Sequence, residues 1–237
     1  MKALAGKVVM VTGASRGLGR AVALAFAREG AALALCARGE ADLEAAGASA
    51  RELGADVLLV PADLRSERDI ERFTALTLDR FGRVDALVNN ASELGPTPLP
   101  ILADLSPAAL ATILEVNVVA PLRLTQAVLG GMLLRGSGTI VNVSSDAAVT
   151  GYPGWGGYGA SKAALDGLTR SWAAELEGTG VRIFSVDPGD MDTDMHRAAD
   201  PDADPATLAR PEAVAEAFVH LVAAPPAEPR VEAASFR

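Results

Sequence analysis

Short runs of apolar residues alternate with longer stretches of helical period along most of the chain, and that alternation predicts repeated βα units. The runs Lys7–Thr12, Ala32–Ala37, Asp56–Pro61, Val84–Val88, Thr139–Ser144 and Val181–Val186 are nearly all apolar and rich in β-branched residues. Continuous apolarity, rather than strict alternation with polar residues, marks strands covered on both faces. Between them the spacing predicts helices near 17–29, 40–53, 66–81, 106–134, 158–177 and 211–223. Ser106-Pro107 is a helix start with Ser as N-cap and Pro at the first helical position. A last strand over Arg230–Ala234 is only weakly indicated. The expected class is α/β, a doubly wound parallel sheet with helices on both faces. No linker breaks the alternation before residue 187, so one domain over 1–237 is expected. The polar, proline-containing stretch at about 187–211 reads as a long loop with room for a short helix, of the kind that covers a bound substrate.

Composition narrows the chemistry. The net charge of -9 argues against binding nucleic acid or an anionic membrane through bulk charge. Cys36 is the single cysteine and the two histidines, His196 and His220, are far apart, so neither a disulfide scaffold nor a metal site is expected. No apolar run reaches the roughly 18 residues of a membrane span, and Met1–Lys7 is too short for a signal peptide. A soluble, cytoplasmic protein is the expectation. Tyrosine occurs only at positions 152 and 158, lysine only at 2, 7 and 162, and asparagine only at 89, 90, 117 and 142. Residue types that the chain otherwise avoids carry information where they appear.

The first predicted strand runs into Thr12-Gly13-Ala14-Ser15-Arg16-Gly17-Leu18-Gly19, and a helix follows. Glycines in such a turn let the backbone approach a diphosphate, whose charge the helix N-terminus favours. The spacing is one residue longer than the usual dinucleotide fingerprint. After the second strand, where an acidic side chain would bind the ribose 2′-hydroxyl of NAD, the chain has Ala37 and Arg38. Arg16 offers a second cation, and the first acid after the strand is Glu40. These features favour NADP(H), with NAD(H) the lesser alternative.

Tyr158 and Lys162 are four apart on a predicted helix, hence on one face. An ammonium beside a phenol is expected to lower its pKa, making Tyr158 a donor or acceptor of protons for a carbonyl or alcohol oxygen. Ser144 and Ser145 fall at the C-terminal end of a predicted strand, where open α/β sheets bind ligands. They either cap the following turn or bring a hydroxyl to the substrate oxygen.

With these residues in view, the chain resembles the short-chain dehydrogenase/reductase family over essentially its whole length. The likeness rests on Thr12-Gly13-x-x-x-Gly17-x-Gly19, Asp63, Asn89-Asn90-Ala91, Asn117, Ser145, Tyr158-x-x-x-Lys162, and Pro188-Gly189 with Thr193. It implies a Rossmann-like sheet of about seven parallel strands and a tetrad of Asn117, Ser145, Tyr158 and Lys162. In that tetrad Tyr158 is the acid/base, Ser145 polarises the substrate oxygen, Lys162 binds the nicotinamide ribose, and Asn117 holds a water that relays protons to Lys162. The likeness also sets Asp63 and Leu64 by the adenine, Asn90 and Ala91 along the cofactor, and Pro188, Gly189, Met191 and Thr193 along the nicotinamide. Two departures stand out: Ser92 replaces the family's usual glycine after Asn-Asn-Ala, and the short C-terminus lacks the usual Gly-Gly ending.

The leading expectation is an NADP(H)-dependent carbonyl reductase or secondary alcohol dehydrogenase acting on a small to medium substrate. Leu94, Tyr152, Trp155 and Met195, with Ser145, are the expected substrate contacts. The alternatives are a 3-oxoacyl-thioester reductase serving an acyl carrier protein, and a non-catalytic NADP(H)-binding sensor or scaffold. A homodimer or homotetramer is expected from the likeness of the helices near 106–134 and 158–177 to those at the family's dimer interface.

Overall fold

The computed structural model describes residues 2–236, so the expected domain range of 1–237 extends one residue beyond it at each end. The elements alternate as β1 (Val8–Thr12), α1 (Gly17–Arg28), β2 (Ala32–Ala37), α2 (Glu40–Glu52), β3 (Val57–Pro61), α3 (Glu67–Phe81) and β4 (Ala86–Asn89). They continue as α4 (Pro107–Leu114), α5 (Ala120–Arg135), β5 (Gly138–Val143), α6 (Gly156–Glu175), β6 (Val181–Asp187), α7 (Asp194–Ala199), α8 (Pro211–Ala223) and β7 (Arg230–Glu232). The seven strands form one sheet in the order β3-β2-β1-β4-β5-β6-β7, all parallel.

Successive residues of a strand face opposite sides, and the two core layers divide accordingly. Val9, Val11, Leu33 and Leu35 pack with Phe26 of α1 and Phe218 of α8 on one face. Met10, Ala34 and Cys36 pack with Phe73 of α3 and Leu124 and Met132 of α5 on the other. Every inner-strand position therefore meets a core, which is why these strands read as unbroken apolar runs. Chain order reverses between β1 and β4, so the crevice beyond the C-terminal ends of these strands is where such sheets take ligands.

Two expected elements differ in detail. The helix expected over 106–134 is capped as predicted, with Ser106 Oγ accepting the Ala109 N–H at 3.1 Å. It is interrupted by a π-helical turn at Glu115–Val119, with Asn117 at its centre. By length and apolarity the stretch Pro107–Arg135 passes as a membrane-crossing helix. Its apolar side instead covers the sheet through Ala120, Leu124, Val128 and Met132. The weakly indicated last strand does form: β7 pairs with β6 through Ser185↔Arg230, Val186↔Val231 and Asp187↔Glu232. It stops at Glu232 because Ala233–Phe236 turn into a 3₁₀ segment that buries Ala233.

The loop expected at 187–211 contains α7, a 3₁₀ turn at Pro205–Thr207 and a bridge between Met191 and Ala209. It folds back over the C-terminal edge of the sheet. At the opposite edge, Gly180 (φ +81°) lies so close to Gly136 that a Cβ would stand 2.0 Å from its carbonyl oxygen. Gly180→Ala combines that overlap with a left-handed backbone, and should lower stability by roughly 2–4 kcal/mol, read as a fall in the urea midpoint.

Candidate active site

The switch point is fixed by one threonine and one asparagine. Thr12 Oγ1 accepts the backbone N–H groups of Asn90 and Ala91, each at 3.0 Å, and so ties the end of β1 to the end of β4. The Asn90 side-chain amide donates back to the Thr12 and Gly13 carbonyls at 2.8 and 3.2 Å. Asn89 is buried and donates to Asn142 Oδ1 at 2.8 Å. The Asn-Asn pair is thus a set of sheet-end fasteners that hold the glycine turn against β4.

The turn opens with Gly13 and Gly17 at φ +65° and +53°, and α1 starts behind it. Its N-cap, Arg16, is extended and contributes no side-chain acceptor, and the first turn of α1 carries no acid. Uncapped N–H groups at a helix start, with the dipole behind them, suit an anionic group such as a diphosphate. A cavity of about 410 Å³ lies against this turn. Its walls include Gly13, Ser15, Arg16, Gly17, Leu18 and Gly19, then Arg38, Asp63, Leu64, Asn90 and Ala91, and at the far end Tyr158, Lys162, Pro188, Met191 and Thr193. A dinucleotide fits this donor set: helix N–H groups in the middle, cations at one end and the Tyr158–Lys162 pair at the other. Gly189 is not in the wall; at φ +73° its N–H turns back to donate to Asp187 Oδ1 at 3.0 Å.

At the adenosine end both expected arginines are exposed and loosely paired with acids. Arg38 lies 3.9 Å from Glu93, and Arg16 lies 3.4 Å from Asp194. Such exposed pairs contribute little to stability and leave the guanidinium groups available to a phosphate. Asp42, rather than Glu40, is the acid of α2 that reaches the cavity. The Asp63 carboxylate is held by Arg65 at 2.6 Å, and this hydrogen bond keeps it ionised below the usual carboxylate range. Cys36 also lines the cavity, but burial pushes its thiol up to about 12, so it behaves as a small apolar residue.

At the other end α6 sets Tyr158 and Lys162 one turn apart. Lys162 is fully buried, donates to the Val143 carbonyl at 2.7 Å, and sits 5.4 Å from the centre of the Tyr158 ring. The expectation from sequence is that this ammonium lowers the phenol pKa. Burial outweighs it: Tyr158 is pushed up to about 12, against the pull of hydrogen bonds with Ser92 and Ser145. The same burial lowers Lys162 to about 8, with the Asp166 carboxylate opposing.

Ser145 takes the capping role and stands beside Tyr158. Its hydroxyl caps the 3₁₀ turn Asp146–Ala148, accepting the Ala147 N–H at 3.1 Å, and it also bonds the Tyr158 hydroxyl. Ser144 faces inward with its hydroxyl unpaired.

Asn117 departs from the water-holding expectation as far as its side chain goes. Its Nδ2 donates to the Glu93 carbonyl and Ser161 Oγ, both at 2.9 Å, while Oδ1 accepts the Glu93 N–H and the Ser92 hydroxyl. All four hydrogen-bonding positions of the amide are used within the protein, so the side chain locks the segment after β4 to α6.

The expected substrate contacts scatter around this end. Trp155 packs edge-on against Tyr158 with ring centres 5.7 Å apart, and Met195 lines the cavity. Leu94 is buried, and Tyr152 is exposed and donates to Asp146 at 2.7 Å. The sequence reading missed Asp194 as a member of the wall, and noted Ser92 only as a departure. Among the described residues no cluster of acids, cysteine and histidines is arranged to hold a metal.

Fold and site together define a dinucleotide-binding α/β protein with a tyrosine–lysine pair at the cavity end, and comparison with known proteins agrees. The family model for short chain dehydrogenases matches residues 7–204. The 3-oxoacyl-(acyl-carrier-protein) reductase of Vibrio cholerae is 36% identical over 207 residues, 87% of this chain and 82% of that protein. Among solved structures, an alcohol dehydrogenase from Thermococcus sibiricus complexed with 5-hydroxy-NADP superposes with a TM-score of 0.83 at 34% identity, covering 95% and 94% of the two chains. NAD+-bound xylitol dehydrogenase superposes with a TM-score of 0.83 at 28% identity, covering 93% of each. The chain belongs to the short-chain dehydrogenase/reductase family and is an oxidoreductase of that family.

Proposed function

We propose that the protein is an NADP(H)-dependent carbonyl reductase or secondary alcohol dehydrogenase acting on an uncharged, small to medium substrate. One observation carries the reading: a single continuous cavity runs from two arginines, past the uncapped start of α1, to a half-buried tyrosine with a buried lysine beside it. The cofactor, when bound, supplies or accepts the hydride. The chain's residues do the rest. Arg16 and Arg38 bind a 2′-phosphate, and the first turn of α1 takes the diphosphate. Tyr158 gives its proton to the substrate oxygen, Ser145 donates a hydrogen bond to the same oxygen, and Lys162 holds the ribose. Trp155 and Met195 offer apolar surface, whereas Asp146 and Asp190 disfavour an anionic substrate.

A second reading, reduction of a 3-oxoacyl thioester on an acyl carrier protein, is supported by the Vibrio cholerae relative. It sits less well with a net charge of -9, since carrier proteins are acidic. A parallel panel of ketones, hydroxy compounds and acyl thioesters, followed by NADPH and NADH absorbance, separates the readings. Tight NADPH binding with no turnover anywhere would favour a sensor instead. Arg38→Ala should weaken NADPH about 10- to 100-fold and leave NADH nearly unchanged, as loss of charge-assisted bonds worth about 1.5–3 kcal/mol demands. Equal effects on both cofactors would refute the phosphate assignment. A cytoplasmic location and a homo-oligomer accompany this proposal.

A further inference from the structure

The last strand carries a guanidinium into the back of the catalytic end. Arg230, at the start of β7, donates through Nε to Asp166 Oδ2 at 3.1 Å, and through Nη2 to Asp187 Oδ2 at 3.1 Å and the Ser145 carbonyl at 3.2 Å. These partners come from three elements: α6, the end of β6, and the turn after β5. Both carboxylates are largely buried, and Asp166 Oδ1 is fully enclosed with no hydrogen bond. Arg230 itself does not line the cofactor cavity.

We infer that Arg230 is a positioning residue, which holds the Ser145 carbonyl so that the serine hydroxyl meets Tyr158, and balances two buried carboxylates behind the Tyr158–Lys162 pair. The mechanical half follows from the hydrogen bonds. Ser145 is fixed at its side chain by accepting the Ala147 N–H and donating to Asp146 Oδ1, and at its carbonyl by Arg230, so the placement of its hydroxyl beside Tyr158 depends on the side-chain bonds and on the carbonyl anchor together. The electrostatic half follows from the charges facing Lys162 and Tyr158. Asp166 lies one turn beyond Lys162 on α6 and raises its pKa, while Asp187 on β6 and Asp146 after β5 raise that of Tyr158. Arg230 on β7 is the cation bonded to both Asp166 and Asp187. Removing it leaves those carboxylates uncompensated, so Lys162 must titrate higher. Removing the Asp166 charge must move Lys162 the other way.

The inference rests on the proposed roles of Tyr158, Ser145 and Lys162, but its charge half can be read without substrate. Only three lysines are present, so lysine labelled at Cε gives three NMR signals, of which the buried Lys162 titrates near 8 in the intact protein. In Arg230→Met this midpoint should rise by about one unit, and in Asp166→Asn it should fall. With a substrate from the panel above, Arg230→Met should lower kcat about tenfold or more while NADPH affinity stays within about twofold. Arg230→Lys keeps the charge but loses the fork that spans three acceptors. It should leave the Lys162 midpoint in place, and lower kcat by about fivefold, and it serves if the Met variant does not fold. An unchanged Lys162 midpoint in Arg230→Met overturns the charge half. Wild-type kcat in Arg230→Lys overturns the positioning half. A shifted midpoint in a protein that turns over no carbonyl supports the charge half and refutes the reductase reading alone.

Discussion

Tyr158→Phe should abolish turnover while leaving NADPH bound at close to its original affinity. The substitution removes one oxygen from a half-buried ring whose packing against Trp155 and Lys162 is unaffected. The glycine turn in the middle of the cavity and both arginines at its other end are untouched, so the cofactor loses little. What disappears is the proton, and positioned proton transfer contributes about 10²–10⁴-fold. The protonation states in the free protein set the direction of the pH dependence. With its pKa pushed up to about 12, Tyr158 is a proton donor throughout the physiological range, as carbonyl reduction requires. Lys162, lowered to about 8, carries its charge below that value and loses it above. Because kcat/KM reports the free enzyme, carbonyl reduction should therefore decline on the alkaline side of about pH 8. A Tyr158→Phe variant that reduces a verified substrate at the wild-type rate would remove the phenol from the mechanism.

Much of this was legible in the sequence because it depends on local pattern. Strands buried on both faces write themselves as apolar runs, and the glycine turn, the tyrosine–lysine pair and Ser145 each sit at an element end that the pattern locates. What escaped was long-range or energetic. Arg230 lies 64 residues from Asp166 and 85 from Ser145, and nothing in a weak three-residue strand announces that it reaches the catalytic end. The pKa of Tyr158 runs against the sequence reading because adjacency on a helix gives the sign of a Coulomb effect but not the burial opposing it. The π-helical turn was visible only as an asparagine in an otherwise apolar helix. Ser92 stood out as a departure from the family pattern, yet its bond to Asn117 and its approach to Tyr158 need the folded arrangement.

Gly19→Ala should destroy cofactor binding although helix propensity alone argues the opposite. Gly19 lies within α1, where alanine is favoured over glycine by about 1 kcal/mol. Against that gain stands the space available. A Cβ at Gly19 would lie 2.3 Å from Asn90 Nδ2 and 2.3 Å from the Gly13 carbonyl oxygen. Neither neighbour is a flexible chain end: Gly13 is backbone, and the Asn90 amide is bonded to both the Thr12 and Gly13 carbonyls. The helix start must move off the glycine turn or Asn90 must surrender those bonds. Either outcome costs about 1–3 kcal/mol from overpacking, with about 1 kcal/mol more for each bond lost, so the clash outweighs the propensity. The cost falls on the surface that faces the diphosphate, and NADPH affinity should drop about 100-fold or more by fluorescence titration, with a lower urea midpoint. Gly151→Ala, where the new methyl meets nothing within 4 Å, is the control and should leave affinity unchanged. If the Gly19 variant binds NADPH as the control does, the glycine turn is not where the diphosphate rests, and the cavity must be read from its other end.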